Sequence, residues 1–121
     1  MSKHLPKKVK IGYAVYKLRH VSKKIDIDKT KRRGKNFDMG ECDFSAQTLR
    51  VFGKQADDEF ANTVLHEVLH AMNEIHKIKF KNDIQEEEYV TRYADAILTL
   101  FKDNPKLFTW FQDKLQKQKL D

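Results

Sequence analysis

Residues 66–76 read HEVLHAMNEIH. Within them His66, Glu67 and His70 spell H-E-x-x-H. Histidines four apart on a helix sit one above the other, so both rings can reach one metal ion. Zinc takes nitrogen ligands at about 2.0–2.1 Å. Glu67 follows His66 by about 100° around the helix and does not share the ligand direction. It can reach a water on the metal instead, taking its proton and later delivering it to a leaving amine. The spacing predicts a hydrolytic zinc site: two ligands, His66 and His70, and one general base, Glu67. The competing reading is a pair of surface histidines beside an exposed glutamate. Leu65 and Leu69 on one flank and Val64 and Val68 on the other argue against it.

A catalytic zinc usually has three protein ligands and one open position. His76 stands where the longer H-E-x-x-H-x-x-G-x-x-H spelling puts a third histidine, but Asn73 replaces the glycine. On a continuous helix His76 points about 90–100° away from the His66/His70 edge. It would ligate only if the helix broke at Asn73, and Glu74, Ile75, Lys77 and Ile78 continue the helical pattern. No Met follows Met72 to form the turn that accompanies the longer spelling. The other source is the acidic run Glu86-Glu87-Glu88. Glu88 aligns with Arg92 and Asp95 on a solvent face, whereas Glu86 and Glu87 lie on or beside the apolar side of their helix. Glu86 has a competing role in a D-x-x-E capping box with Asp83. Wheel geometry leaves Glu86 and Glu87 both open. Tyr89 and Tyr93 are the candidates to stabilise an oxyanion.

These side chains need elements to position them. Residues 8–21 are rich in β-branched and aromatic residues and predict a strand, bulged near Gly12 or after Val15; a short helix over 11–21 competes. Residues 22–36 are highly charged and read as a loop. Residues 40–53 predict a hairpin with arms at about 40–44 and Thr48–Phe52. Phe60, Ala61, Val64, Leu65, Val68, Leu69, Met72 and Ile75 then repeat at three and four, with Asp57 or Asp58 as N-cap. A second helix begins at Asp83. A third begins at Pro105 with Asn104 as its cap. The order predicts one α+β domain over 1–121: a small N-terminal antiparallel sheet, the H-E-x-x-H helix, a glutamate-bearing helix and a C-terminal helix. The second helix is the one available to cover the histidine face.

TVLHEVLHAM, then EEEYVTRYA, then LTLFKDNPKLFTWF, resembles a family of small phage- and prophage-encoded H-E-x-x-H proteins over residues 40–112. More distantly it is similar to the metallopeptidase domains of prophage regulators that cleave repressors. The resemblance implies a minimal zincin-like fold of the gluzincin kind. It implies a third zinc ligand from an E-x-x-[VA]-[TN]-like context on the following helix, which Glu87 matches, and peptide-bond hydrolysis in the host cytoplasm. Residues 1–35 lie largely outside the match.

Composition sets the limits. A chain of 121 residues with 40% hydrophobic residues and eight Phe has enough apolar surface for a single modest core. No apolar run is long enough for a membrane helix, no signal-peptide pattern follows the basic first residues, and Cys42 stands alone. A reducing, cytoplasmic setting is the expectation. Residues 1–35 hold thirteen Lys/Arg against two Asp, while the remainder holds eleven basic and sixteen acidic residues. Such a segment can attract nucleic acid, although a solvated strand and loop is the simpler reading. The zinc reading implies a protein or peptide substrate, held by strand addition along Thr48–Phe52 as the edge of the hairpin. The alternative is a non-catalytic accessory or binding protein with a structural metal, associated with nucleic acid through residues 1–35.

Overall fold

The computed structural model describes residues 5–23 and 39–116. The expected charged loop falls outside them from residue 24 on. The chain order is β1 (Lys8–Ile11), β2 (Ala14–Val21), β3 (Gly40–Asp43), β4 (Thr48–Phe52), α1 (Asp57–Ile75), α2 (Asp83–Asp103) and α3 (Pro105–Gln116). The architecture is α+β: a small mixed four-stranded sheet followed by three helices.

Residues 8–21 are two strands, not one bulged strand or a helix. Ile11 pairs with Ala14, so Gly12-Tyr13 is a two-residue turn. Gly12 has φ +59°, the left-handed value that a tight hairpin of this type needs at its first turn position. A Cβ there would also lie 2.8 Å from Ile75 Cγ2. Across the turn the apolar set stays on one face: Val9 opposes Tyr16 and Ile11 opposes Ala14.

The strand order is β1-β2-β4-β3. β1 and β3 run antiparallel to their neighbours, but β2 and β4 are parallel, which corrects the expected antiparallel sheet. Thr48–Phe52 is an interior strand, hydrogen-bonded to β2 on one side and β3 on the other. It has no open edge for substrate, so strand addition at Thr48–Phe52 is ruled out. The physical reason is burial on both faces: Leu49 and Val51 are completely buried, and Thr48 and Phe52 nearly so. Among the described residues the sheet edges are β1 and β3.

One face of the sheet packs on α1. The core joins Ile11, Ala14, Tyr16, Leu18 and Leu49 to Ala71 of α1, with Val68, Met72 and Ile75 against it. Each such large apolar side chain contributes about 1.5–3 kcal/mol when fully buried. α1 starts from Ala56, which makes no side-chain cap, so neither Asp57 nor Asp58 is the N-cap. They fall instead within the first turn with Glu59, where negative charge complements the helix dipole. α1 ends at Ile75, earlier than the apolar pattern suggests. Ile78 N–H donates to Asn73 O at 2.9 Å and Lys77 N–H to Glu74 O at 3.4 Å. Lys77 takes φ +55°. This is a Schellman ending with lysine in the place usually held by glycine.

α2 is capped by Asn82, whose Oδ1 accepts from Gln85 N–H at 2.8 Å. The Asp83/Glu86 capping box is therefore not formed, and Glu86 is released for other contacts. Asn104 donates its side-chain amide back to Leu100 O of α2, so that side chain serves the end of α2. α3 packs on α2 through Phe101 and Phe108, whose rings stack at 4.1 Å. No described helix is long and apolar enough to cross a membrane.

Candidate metal centre

α1 presents His66 and His70 on one edge, their ring centroids 5.0 Å apart. α2 crosses that edge and brings Glu86 and Glu87 to it. Glu87 Oε2 lies 3.1 Å from His66 Nε2, and Glu87 Oε1 lies 3.0 Å from His70 Nε2. The ligand atoms of His66, His70 and Glu87 all fall within 4.8 Å of one another. An ion held at about 2.0–2.1 Å in tetrahedral geometry needs ligand atoms roughly 3.3–3.5 Å apart. The three groups could hold a divalent cation, with the carboxylate oxygens already 3.0–3.1 Å from the two nitrogens.

Glu86 takes the other nitrogen. Its Oε2 lies 2.9 Å from His70 Nδ1 and accepts from Asn73 Nδ2 at 3.1 Å. His70 is thus gripped from both sides by adjacent carboxylates, Glu86 at Nδ1 and Glu87 at Nε2. A carboxylate on the outer nitrogen keeps the proton at Nδ1 and aims Nε2 inward, which orients the ring and raises its basicity as a ligand. Glu86 is not among the convergent donors; it positions one of them. His76 is not among them either. It sits at the α1 C-cap, its ring edge close to where a Gly12 side chain would project. The helix ends there, about one turn beyond Asn73. Glu88 is exposed. Tyr89 and Tyr93 stack on each other at 5.8 Å and lie about 200° and 240° around α2 from Glu87, away from the cluster.

Charge follows this geometry. Burial pulls the His70 pKa down, but the hydrogen bonds to Glu87 and Glu86 and the Glu67 charge more than reverse that, to about 9. Hydrogen bonds from His66 and His70 hold the Glu87 carboxyl well below the usual carboxylate range, although burial opposes them. Without a metal the cluster is an imidazolium bracketed by carboxylates. A cation there replaces the proton on Nε2.

Glu67 is buried on the sheet side of the same helix, at 7% exposure. A Cβ on Gly40 would lie 2.9 Å from its Oε2 and 2.8 Å from Thr63 Cγ2. The bare backbone of β3 at Gly40 is what admits the carboxylate. Cys42, two residues along the same strand face, has its thiol pushed up by burial and by the charges of Glu67, Asp43, Glu74 and Glu86. It is a partly buried thiol packed against the core and held toward its protonated form.

Sequence spacing brought out His66, Glu67, His70 and the Glu86/Glu87 pair. It missed Asn73 and Gly40 as supports. Asn73 had a visible signal, since seven residues from His66 returns to the same helical edge. Gly40 had none, because its role depends on which strand lies beside α1. No protein-family model matches the chain, and no curated protein or solved structure matches it either.

Proposed function

We propose that this chain is a zinc-dependent peptide hydrolase of the minimal zincin-like kind, with zinc held by His66, His70 and Glu87. The observation that carries the reading is the convergence of two Nε2 atoms from α1 and one carboxylate from α2, with Glu67 one residue along from His66. Zinc at this position would supply a Lewis acid and an acidified water. Glu67 serves as general base toward the attacking water and then as general acid toward the leaving amine. Glu86 and Asn73 hold His70 in the ligating orientation. On this reading the chain belongs with the small phage-type H-E-x-x-H proteins it resembles and acts on a protein or peptide in the host cytoplasm.

A second reading has one observation in its favour. The buried residues of α2 are only Val90 and Ala94, so a metal bridging α1 and α2 would add much to a small core. The site would then be structural and the protein a non-catalytic accessory module. One experiment separates the two. Purified wild-type and Glu67→Gln protein are assayed for zinc content and for cleavage of a mixed peptide library read by mass spectrometry. Catalysis predicts one zinc in both proteins and cleavage by wild type alone. Zinc in both without cleavage by either supports the structural site. Wild-type protein that takes up no zinc excludes both readings.

A further inference from the structure

The sheet has a second face, turned away from α1 and the histidines. On β1 and β2 that face carries Lys8, Lys10, Val15, Lys17 and Arg19, all exposed. Neither strand contains an acidic residue. The register sets Lys8 directly opposite Lys17, and Arg19 opposite Arg50 of β4. Like charges directly opposed on one face destabilise a sheet. Arg50 escapes, because Glu41 and Asp43 of β3 pair with it at 2.7 and 3.4 Å. Among the described residues no carboxylate pairs with Lys8, Lys17 or Arg19. Lys10 Nζ donates to Gly12 O, which holds it beside the turn. At that turn Tyr13 projects at 76% exposure, with Val15 at 46% on the basic face.

We propose that the β1–β2 face binds the phosphate backbone of nucleic acid, with Tyr13 at its tip stacking on a base. Cations recur every second residue along each strand, about 6.7 Å apart, and about 4.8 Å across the pair. This lattice complements an extended, regularly charged polyanion. A phosphate chain relieves the Lys8/Lys17 repulsion that the described residues leave uncompensated. The exposed aromatic adds the sequence-tolerant stacking that single-stranded ligands use. A lipid surface fits less well, because Val15 on β2 and Tyr13 in the turn are the only large apolar groups exposed on this hairpin.

The test is fluorescence anisotropy of the full chain with a labelled single-stranded oligonucleotide of about 20 nucleotides, and with its duplex. Salt is varied between about 50 and 200 mM. Four phosphate contacts predict a log–log salt slope near −3. Lys17→Ala/Arg19→Ala should lower affinity at least tenfold and flatten the slope by about 1.4–1.8. Tyr13→Ala should weaken the single-stranded ligand more than the duplex. Lys17→Glu should abolish binding yet raise the melting temperature, because it converts Lys8/Lys17 into an attractive pair; loss of binding therefore cannot be ascribed to unfolding. Absence of binding at the low-salt end overturns the proposal. So does a wild-type slope in Lys17→Ala/Arg19→Ala, which would place binding elsewhere, and so does preference for anionic phospholipid vesicles over both oligonucleotides.

Discussion

The seam between α1 and α2 and the outer face of β1–β2 handle charge in opposite ways. In the seam, His66 and His70 meet Glu86 and Glu87 across two helices, every contact between 2.9 and 3.1 Å. On the hairpin, Lys8 faces Lys17, and among the described residues no carboxylate pairs with either. The seam is satisfied from within, so a metal ion would enter it by replacing a proton. The hairpin's cations find no carboxylate among the described residues, so the partner proposed for them lies outside the chain. The difference predicts that seam substitutions change metal affinity and fold stability together, whereas hairpin substitutions change ligand affinity at little cost to the fold.

The largest effect should come from removing a seam ligand. His66→Ala or His70→Ala should lower zinc affinity by at least about 100-fold in competition with a chromophoric chelator. Near-wild-type zinc affinity in either variant would break the comparison outright. Glu86→Gln should cost about 10–100-fold, as loss of an orienting carboxylate does, while His76→Ala should leave affinity within about twofold. Equal effects of the two would show that the helix end, not the Nδ1 contact, governs the site.

The metal-free protein should also carry the seam's signature in its pH dependence. His70 is raised to about 9 in the fold, so its charge stabilises fully below about 6.5 and that contribution drains as pH rises through about 9. Glu87 is lowered, so its contribution is present above about 4.5 and is lost as pH falls below that. The melting temperature of metal-free protein should be highest between these limits and fall on the order of 5–10 °C toward pH 9. A flat profile from pH 6.5 to 9 would mean that the His70 bridges do not form in solution.

Two smaller effects sharpen the boundary. Gly40→Ala should destabilise by about 1–2 kcal/mol in denaturant titration, because Thr63 and Glu67 must move aside. Its effect on any peptide cleavage should exceed its effect on zinc content, since Glu67 and not a ligand is displaced. Arg50→Ala should cost less than about 1 kcal/mol, since its partners Glu41 and Asp43 are partly exposed.

Much of this was legible in linear order. The four-residue spacing of His66 and His70 placed both on one helical edge, and the hairpin at 40–53 followed from alternation on either side of a short turn. Helix ends were less legible. α2 begins at Asp83 as read, but its cap is Asn82, and Lys77 ends α1 before the boundary read beyond Ile78, because caps depend on single backbone torsions that periodicity does not encode. One misplaced cap had a chemical consequence, since it assigned Glu86 to its own helix when the carboxylate belongs to His70.

The sequence by itself determined which residues share a face: the histidine pair on α1, the apolar stripe that seats α1, and the basic alternation of residues 8–19. Those are periodicities, and local geometry suffices for them. Only the tertiary structure decided which element each face meets. It put α2 over the histidines so that Glu87 reaches both Nε2 atoms while Glu86 takes Nδ1. It put Thr48–Phe52 inside the sheet and left Gly40 of β3 against Glu67. Those outcomes rest on contacts between segments far apart in the chain, and no spacing within one segment carries that information.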